Sequence, residues 1–334
     1  MIIKSKHYKI TPKILRLATI KSILQIKIYL MIKNRRKFIQ TASTIAAGGL
    51  ILPLWACKDN KSTTMANDMA KKADKMTKGS LEKFGIQLYT LRDDMPKDPK
   101  GVITKLAGYG YKQIESYDGP QGIFWDQKNT EFKKFLDGLG LSVKSAHVDI
   151  YKDFERKCAE GAEIGMDYMI CPYVGPQTSK EAWQKIVDKF NECGDICKKN
   201  GIQFAYHNHA YSFKPFSGMI PHEFLMDNTN PDTVKHQMDI YWVVSGGADP
   251  IEYLKKYSGR FTLCHVKDRM KNAGDEREAS CDLGTGIIDF PKILKVAKEN
   301  GMEYFIMEQE RYDGSTPLKS AEAGAAYLKD LVFV

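Results

Sequence analysis

No aspartate or glutamate occurs in the first 57 residues of this 334-residue chain, although that stretch holds eleven of its 50 lysines and arginines. The net charge of +9 is therefore carried by the amino-terminal end, and the rest of the chain is close to neutral. A near-neutral body lacks the broad positive field that binding a nucleic-acid backbone requires. Cysteine is sparse, seven in all, with no Cys-x-x-Cys and no zinc-ribbon spacing, which removes the usual structural-zinc and dithiol motifs. Cys193 and Cys197 stand four apart on one helix face, awkward for a disulfide, and read as small buried residues. No Gly-x-Gly-x-x-Gly follows the first strand signal, so the main sign of a dinucleotide-binding open sheet is missing. What the chain does have is 43% apolar and 11% aromatic residues, enough for a large core and too much for wholesale disorder.

The basic leader has its own grammar. Asn34-Arg35-Arg36-Lys37-Phe38-Ile39-Gln40 precedes an uncharged run from Thr41 to Ala56, and the whole resembles a twin-arginine export signal. The run is short for a membrane span, and Gly48, Gly49 and Pro53 weaken it as a helix. Leu54-Trp55-Ala56-Cys57 resembles a lipobox, with Trp55 bulkier than usual, so the mature protein is expected to be exported as a periplasmic protein or as a lipoprotein anchored through Cys57. Met31 offers an alternative start that gives the signal an ordinary length. Residues 58–80, rich in Lys, Asp, Thr and Ala, read as a flexible linker. Residues 81–334 then remain, close to the roughly 250 of one (β/α)8 barrel.

One phrase recurs through those residues: an amphipathic helical stretch, a Gly, then a short apolar run ending in a polar residue. It is read at Gly110, Gly140, Gly165, Gly201 and Gly301, and with Phe84–Tyr89, Val234–Asp239 and Phe261–Val266 the strand signals number eight. Strict alternation of strand and helix implies parallel strands with right-handed crossovers, and the missing dinucleotide fingerprint favours closure into a single-domain α/β barrel. In order, the strands finish in Gln87, Glu115, His147, Cys171-Pro172-Tyr173, His207 with His209, Asp239, His265 with Lys267, and Glu308 with Glu310. A barrel gathers its strand ends on one face. Acids and imidazoles facing one another there repel or desolvate unless a proton or cation organises them, which points to one divalent metal ion.

At these residues the chain resembles the sugar phosphate isomerase/epimerase family of xylose-isomerase-like TIM barrels. The resemblance runs over residues 81–334 through Gly85-Ile86-Gln87-Leu88-Tyr89-Thr90-Leu91-Arg92, Ile114-Glu115, Tyr206-His207-Asn208-His209, Met238-Asp239-Ile240-Tyr241-Trp242, His265-Val266-Lys267-Asp268, Gly284-Thr285-Gly286 and Ile306-Met307-Glu308-Gln309-Glu310. It implies a cation, manganese first and otherwise cobalt, magnesium or zinc, held by Asp239, His265 and Glu308. Many members carry a metal-binding Glu where this chain has His207. His207 is assigned to the metal and His209 to the substrate, an assignment in which the two imidazoles are exchangeable.

The chemistry implied is proton removal beside the carbonyl of a sugar or keto-sugar. Glu308 is expected to be ligand and principal base, with His209, Glu115 and Lys267 as further catalytic candidates. Gln87, His147, Trp125, Trp242 and Glu310 are expected to touch substrate. The asymmetric pair Glu308 and His207 leaves elimination and isomerisation both open. The charged run from Lys267 to Asp289 reads as a lid or clamp. The rival readings are a lipid-anchored sugar-binding protein without catalysis and an endonuclease IV-like nuclease; the neutral body and the export signal argue against the second, and no nucleic-acid partner is expected.

Overall fold

The computed structural model describes residues 79–334; the export signal, the lipobox at Cys57, the Met31 start and nearly all of the 58–80 linker fall outside them. Eight parallel strands close a barrel: β1 (Gly85–Gln87), β2 (Gln113–Tyr117), β3 (Ser142–His147), β4 (Tyr168–Cys171), β5 (Gln203–His207), β6 (Val234–Asp239), β7 (Phe261–Val266) and β10 (Tyr304–Met307), with β10 pairing back onto β1. Two short antiparallel strands, β8 (Asp268–Arg269) and β9 (Ser280–Cys281), lie outside it. The outer layer comprises α1 (Pro99–Tyr109), α2 (Asn129–Gly138), α3 (Phe154–Glu163), α4 (Lys180–Lys199), α5 (Pro221–Asn228), α6 (Ile240–Ser245), α7 (Pro250–Lys256), α8 (Phe290–Glu299) and α9 (Pro317–Asp330).

Local chemistry explains the boundaries. Ser179 caps α4 and Asp289 caps α8 by accepting hydrogen bonds from backbone amides three residues on, and Pro291 lies in the first turn of α8. Five helices hand over to the next strand through the glycines read from the sequence, each with positive φ, from +68° at Gly140 to +111° at Gly110. Ser80 pairs with Val332, which ties the two ends of the barrel sequence together. Three strands are shorter than their apolar runs: β1 ends at Gln87, β5 at His207 and β10 at Met307, so Tyr89, His209, Glu308 and Glu310 stand just past the strand ends, Glu308 still donating its amide to the Val266 carbonyl at 3.3 Å.

Period-two alternation sorts the barrel interior into layers. A small apolar plug of Tyr168, Ile170, Ala205, Leu263 and Ile306 fills one level, apart from the large core between sheet and helices. Two residues further along β5, β7 and β10, the same inward row presents His207, His265 and Glu308. The plug is the floor on which the polar layer rests.

Candidate active site and metal centre

His207, Asp239, His265 and Glu308 converge above the plug, all buried, with one donor atom of each within 4.8 Å of the others. Each is aimed by a neighbour. Nδ1 of His207 lies 3.1 Å from the Pro172 carbonyl, which leaves Nε2 facing Asp239 Oδ2 at 3.3 Å. Asp239 Oδ1 accepts the Trp242 amide at 3.1 Å and caps α6, freeing Oδ2 for the cluster. The Asn208 amide brackets the Asp239 backbone, donating to its carbonyl and accepting from its N–H, both at 3.1 Å. His265 has Nε2 2.6 Å from Glu115 Oε1 and Nδ1 3.1 Å from Glu308 Oε2.

Burial alone would raise the Asp239 and Glu308 carboxyls. Hydrogen bonds to His207 and His265 and the charge of Lys267 win for Asp239, which is held far below the ordinary range, and His265 with Lys267 holds Glu308 at about 2. Burial pushes His265 down, yet the surrounding Glu308 and Glu115 charges outweigh it and raise His265 well above its usual value. Within the cluster, His265 and the neighbouring Lys267 face three buried carboxylates, Asp239, Glu308 and Glu115. Two imidazole nitrogens and two carboxylates at this spacing, already ionised and turned toward one another, fit a divalent cation, and the orientation of His265 by Glu115 is the carboxylate–histidine support that metal ligands commonly have.

The remaining sequence candidates separate into two groups. His147, His209, Trp242 and Glu310 line, with His207 and Glu308, a cavity of about 490 Å³ above the cluster. Gln87, Glu115, Lys267 and Trp125 lie behind its wall. Glu115, fully buried, accepts from Gln87 Nε2 (2.8 Å), Ser145 Oγ (2.6 Å) and Gln237 Nε2 (2.7 Å) besides His265, so it orients the ring instead of meeting substrate. Trp125 is buried against Tyr117, its ring edge-on at 5.1 Å and its N–H on Ser116 Oγ. Lys267 lies under the rings of Tyr241 and Trp242, 4.8 Å from each, and pairs with Glu310 and with Glu278. Its neighbour Asp268 is occupied elsewhere, accepting the amides of Gly284, Gly286 and Ile288 at 2.9 to 3.2 Å. That anchorage, with the β8–β9 pair, pins the Lys267–Asp289 run down where the sequence reads a lid.

Histidine 209 stands outside the four-residue cluster. Burial and the nearby His207 depress it well below the usual imidazole range, and its Nδ1 has no hydrogen-bond partner. Glu310 is pushed up to about 7 by burial, against the Lys267 charge and with help from Glu308 and Glu278. The cavity also takes in Tyr117, the last residue of β2, Tyr89, on a short 3₁₀ turn after β1, and four residues that strand ends do not announce, Asp118, Asp149, Tyr151 and Arg277. Those four lie on loops, where no periodicity operates. Gln237 is different, since its place two residues before Asp239 on β6 already puts it on the inward row.

Comparison with known proteins follows the same lines. An inosose dehydratase from Clostridium perfringens is 28% identical over 167 residues, covering 46% of this chain and 56% of that protein, so the chain spans little more than half the length of that curated relative. An inosose dehydratase from Clostridium beijerinckii is 28% identical over 287 residues, covering 71% and 93%. The crystal structure of a sugar phosphate isomerase/epimerase from Parabacteroides distasonis superposes with a TM-score of 0.64 at 29% identity, covering 74% of this chain and 93% of that one. A family model described as a xylose isomerase-like TIM barrel matches residues 103–331. With the closed barrel and the polar layer at its strand ends, that match makes the chain a member of the xylose isomerase-like TIM barrel family.

Proposed function

We propose that this protein is a divalent-metal-dependent lyase that removes a proton next to the carbonyl of a keto-sugar or keto-polyol and expels a β-substituent. The observation that carries this is the asymmetry of the cavity: imidazoles of His147, His207 and His209 come from the ends of β3 and β5 and the segment after β5, carboxylates of Glu308 and Glu310 from the segment after β10. Symmetric epimerisation by two opposed carboxylates lacks its second partner on β5. The dehydratase relatives support the same direction.

His207, Asp239, His265 and Glu308 would hold the cation; manganese, cobalt, magnesium and zinc all accept nitrogen and oxygen donors of this kind. When bound it supplies Lewis-acid stabilisation of charge on the substrate carbonyl, several kcal/mol. Glu308, read from the sequence as ligand and base, is assigned to the ligand role, because its carboxylate lies within the four-residue cluster, Oε2 3.1 Å from His265 Nδ1. His209, which lines the cavity but stands outside the ligand cluster, takes the proton from carbon. The C–H electron pair forms the double bond. Glu310, pushed up to about 7, is protonated in part at neutral pH, and that form gives its proton to the departing oxygen.

Proton NMR in deuterated water, with magnesium-loaded protein and a panel of keto-sugars including an inosose, tests the reading. A vinylic proton appearing as the β-oxygen leaves is the expected result. Carbon-bound deuterium with every oxygen retained would reassign the chain to the isomerases.

A further inference from the structure

We infer that the substrate is an uncharged glycoside of at least two units, its non-reacting unit seated against Tyr151 and Tyr173 at the mouth of the cavity. This rests on the proposed function and narrows its substrate class.

Size is the first observation. The cavity of about 490 Å³ begins at the ligand cluster and continues between the loops after β3 and β4, past Asp149, Tyr151, Pro172 and Tyr173. That volume lies in the range that encloses drug-sized ligands, which is more than one small ring.

Aromatic exposure is the second. Among the described residues, five large apolar side chains are strongly exposed, and three of them, Tyr89, Tyr151 and Tyr173, line this one mouth. Tyr151 is 69% exposed and Tyr173 51%. Scattered exposed apolar residues need no explanation, but a cluster at a cavity rim marks a binding surface. The rings are held in place: Lys189 Nζ lies 5.5 Å from the Tyr151 ring centre, and Tyr173 packs edge-on against His209 at 5.0 Å and Tyr211 at 5.5 Å. An aromatic ring with one apolar face open to water suits the C–H face of a pyranose, while its hydroxyl serves the sugar's oxygens. Tyr173 also joins the mouth to His209, so a unit resting on it is continuous with the reacting end.

Charge is the third. The cavity wall carries Asp118, Asp149, Glu308 and Glu310 and a single cationic side chain, Arg277. Lys157 is consumed by Asp118 at 2.5 Å, and Lys267 lies behind the wall on Glu310 and Glu278. Phosphate sites gather several cations or a helix N-terminus. Asp118 and Glu310 are answered by those two lysines and Glu308 belongs to the ligand cluster, so away from that cluster a phosphate dianion would meet Arg277 as its one cationic side chain, whereas a neutral saccharide meets hydrogen-bond acceptors and rings.

Calorimetric titration of the magnesium-loaded full chain compares glucose, glucose 6-phosphate, methyl glucoside and the disaccharides cellobiose, maltose and trehalose. At least one disaccharide should bind ten-fold or more tightly than glucose, and glucose 6-phosphate no more tightly than glucose. Tyr151→Ala and Tyr173→Ala should each erase most of the disaccharide advantage, while Tyr151→Phe and Tyr173→Phe, which keep the ring, should retain it. Equal affinity for glucose and every disaccharide, no binding by any of them, preference for the phosphate, or an advantage that survives both alanine variants would overturn the inference. The lyase reading fails separately, on the NMR products and on metal content, neither of which these binding ratios measure.

Discussion

Asp239 divides its two oxygens between two tasks, Oδ1 capping α6 and Oδ2 facing the ligand cluster, and the division makes its substitution informative. Asparagine is as good a helix cap as aspartate, so Asp239→Asn should keep the fold, read by circular dichroism, while losing cation affinity for want of the charged donor. A variant that binds metal normally by elemental analysis would move the site elsewhere. The two remaining assignments separate in the same way. Glu308→Gln should weaken metal binding, with activity falling alongside. His209→Ala should keep metal but lose turnover by about 10²–10⁴, the scale of a lost general base. Full turnover in His209→Ala would return the base to Glu308. Glu115→Gln probes orientation: it removes the carboxylate behind His265 Nε2, and roughly ten- to hundred-fold weaker metal binding is expected of such a supporting contact.

Elements show why some of this was legible in the sequence. Period-two strands place every second side chain inward, so His207, Asp239, His265 and Glu308 could be read from where apolar runs end, and the positive-φ glycines marked where helices hand over to strands. Tyr89 and Tyr173 fell at strand ends in the same way, but Tyr151 could not be placed, because loops carry no period and their position depends on packing across several strands. Trp125 shows the same limit: its φ of +57° turns the ring into the wall behind Tyr117. Gly286 illustrates packing that only coordinates show, since a Cβ there would lie 2.2 Å from the Arg269 carbonyl oxygen and 2.3 Å from Asp268 Oδ1. Gly286→Ala should therefore dislodge the loop that Asp268 holds, seen as faster amide exchange at Gly284–Ile288. On the far side of β6 from the site, His222 of α5 and His236 lie buried without hydrogen-bond partners, amid Phe213, Phe261, Tyr206 and Tyr253. Burial, with Arg260 nearby, pushes His222 down to about 3, and burial with His222 and Arg260 depresses His236 well below its usual value. Both favour the neutral form when folded. The unfolded chain takes up their protons first, so stability should be full above the unfolded imidazole value near 6.5 and fall toward pH 3, by about 1.4 kcal/mol per pH unit for each ring. Denaturant titrations across that window should show a shallower fall in His236→Phe.

At the scale of the whole molecule, the ligand cluster ties together four neighbouring strands of the barrel. His207, Asp239 and His265 come from three successive strands of the ladder, and Glu308 directly follows β10, which pairs with both β7 and β1. A cation bound there contacts only the folded chain, because the four residues lie scattered over a hundred positions of the sequence when the chain is unfolded. Binding must therefore stabilise the fold by mass action, about 2.7 kcal/mol at a hundred times the dissociation constant. A domain of this size moves its midpoint by roughly 2–4 °C per kcal/mol, so saturating manganese should raise Tm by about 5–11 °C over chelator-treated protein. The shift should grow with the logarithm of free metal and vanish in Asp239→Asn, whose uncapped charge is gone but whose fold is kept. It should also weaken on acidification, since protons compete for His207 and for the carboxylates as the cation leaves. A chelator-insensitive Tm in the native chain, with metal absent by elemental analysis, would remove the cation from the mechanism and leave the barrel unchanged.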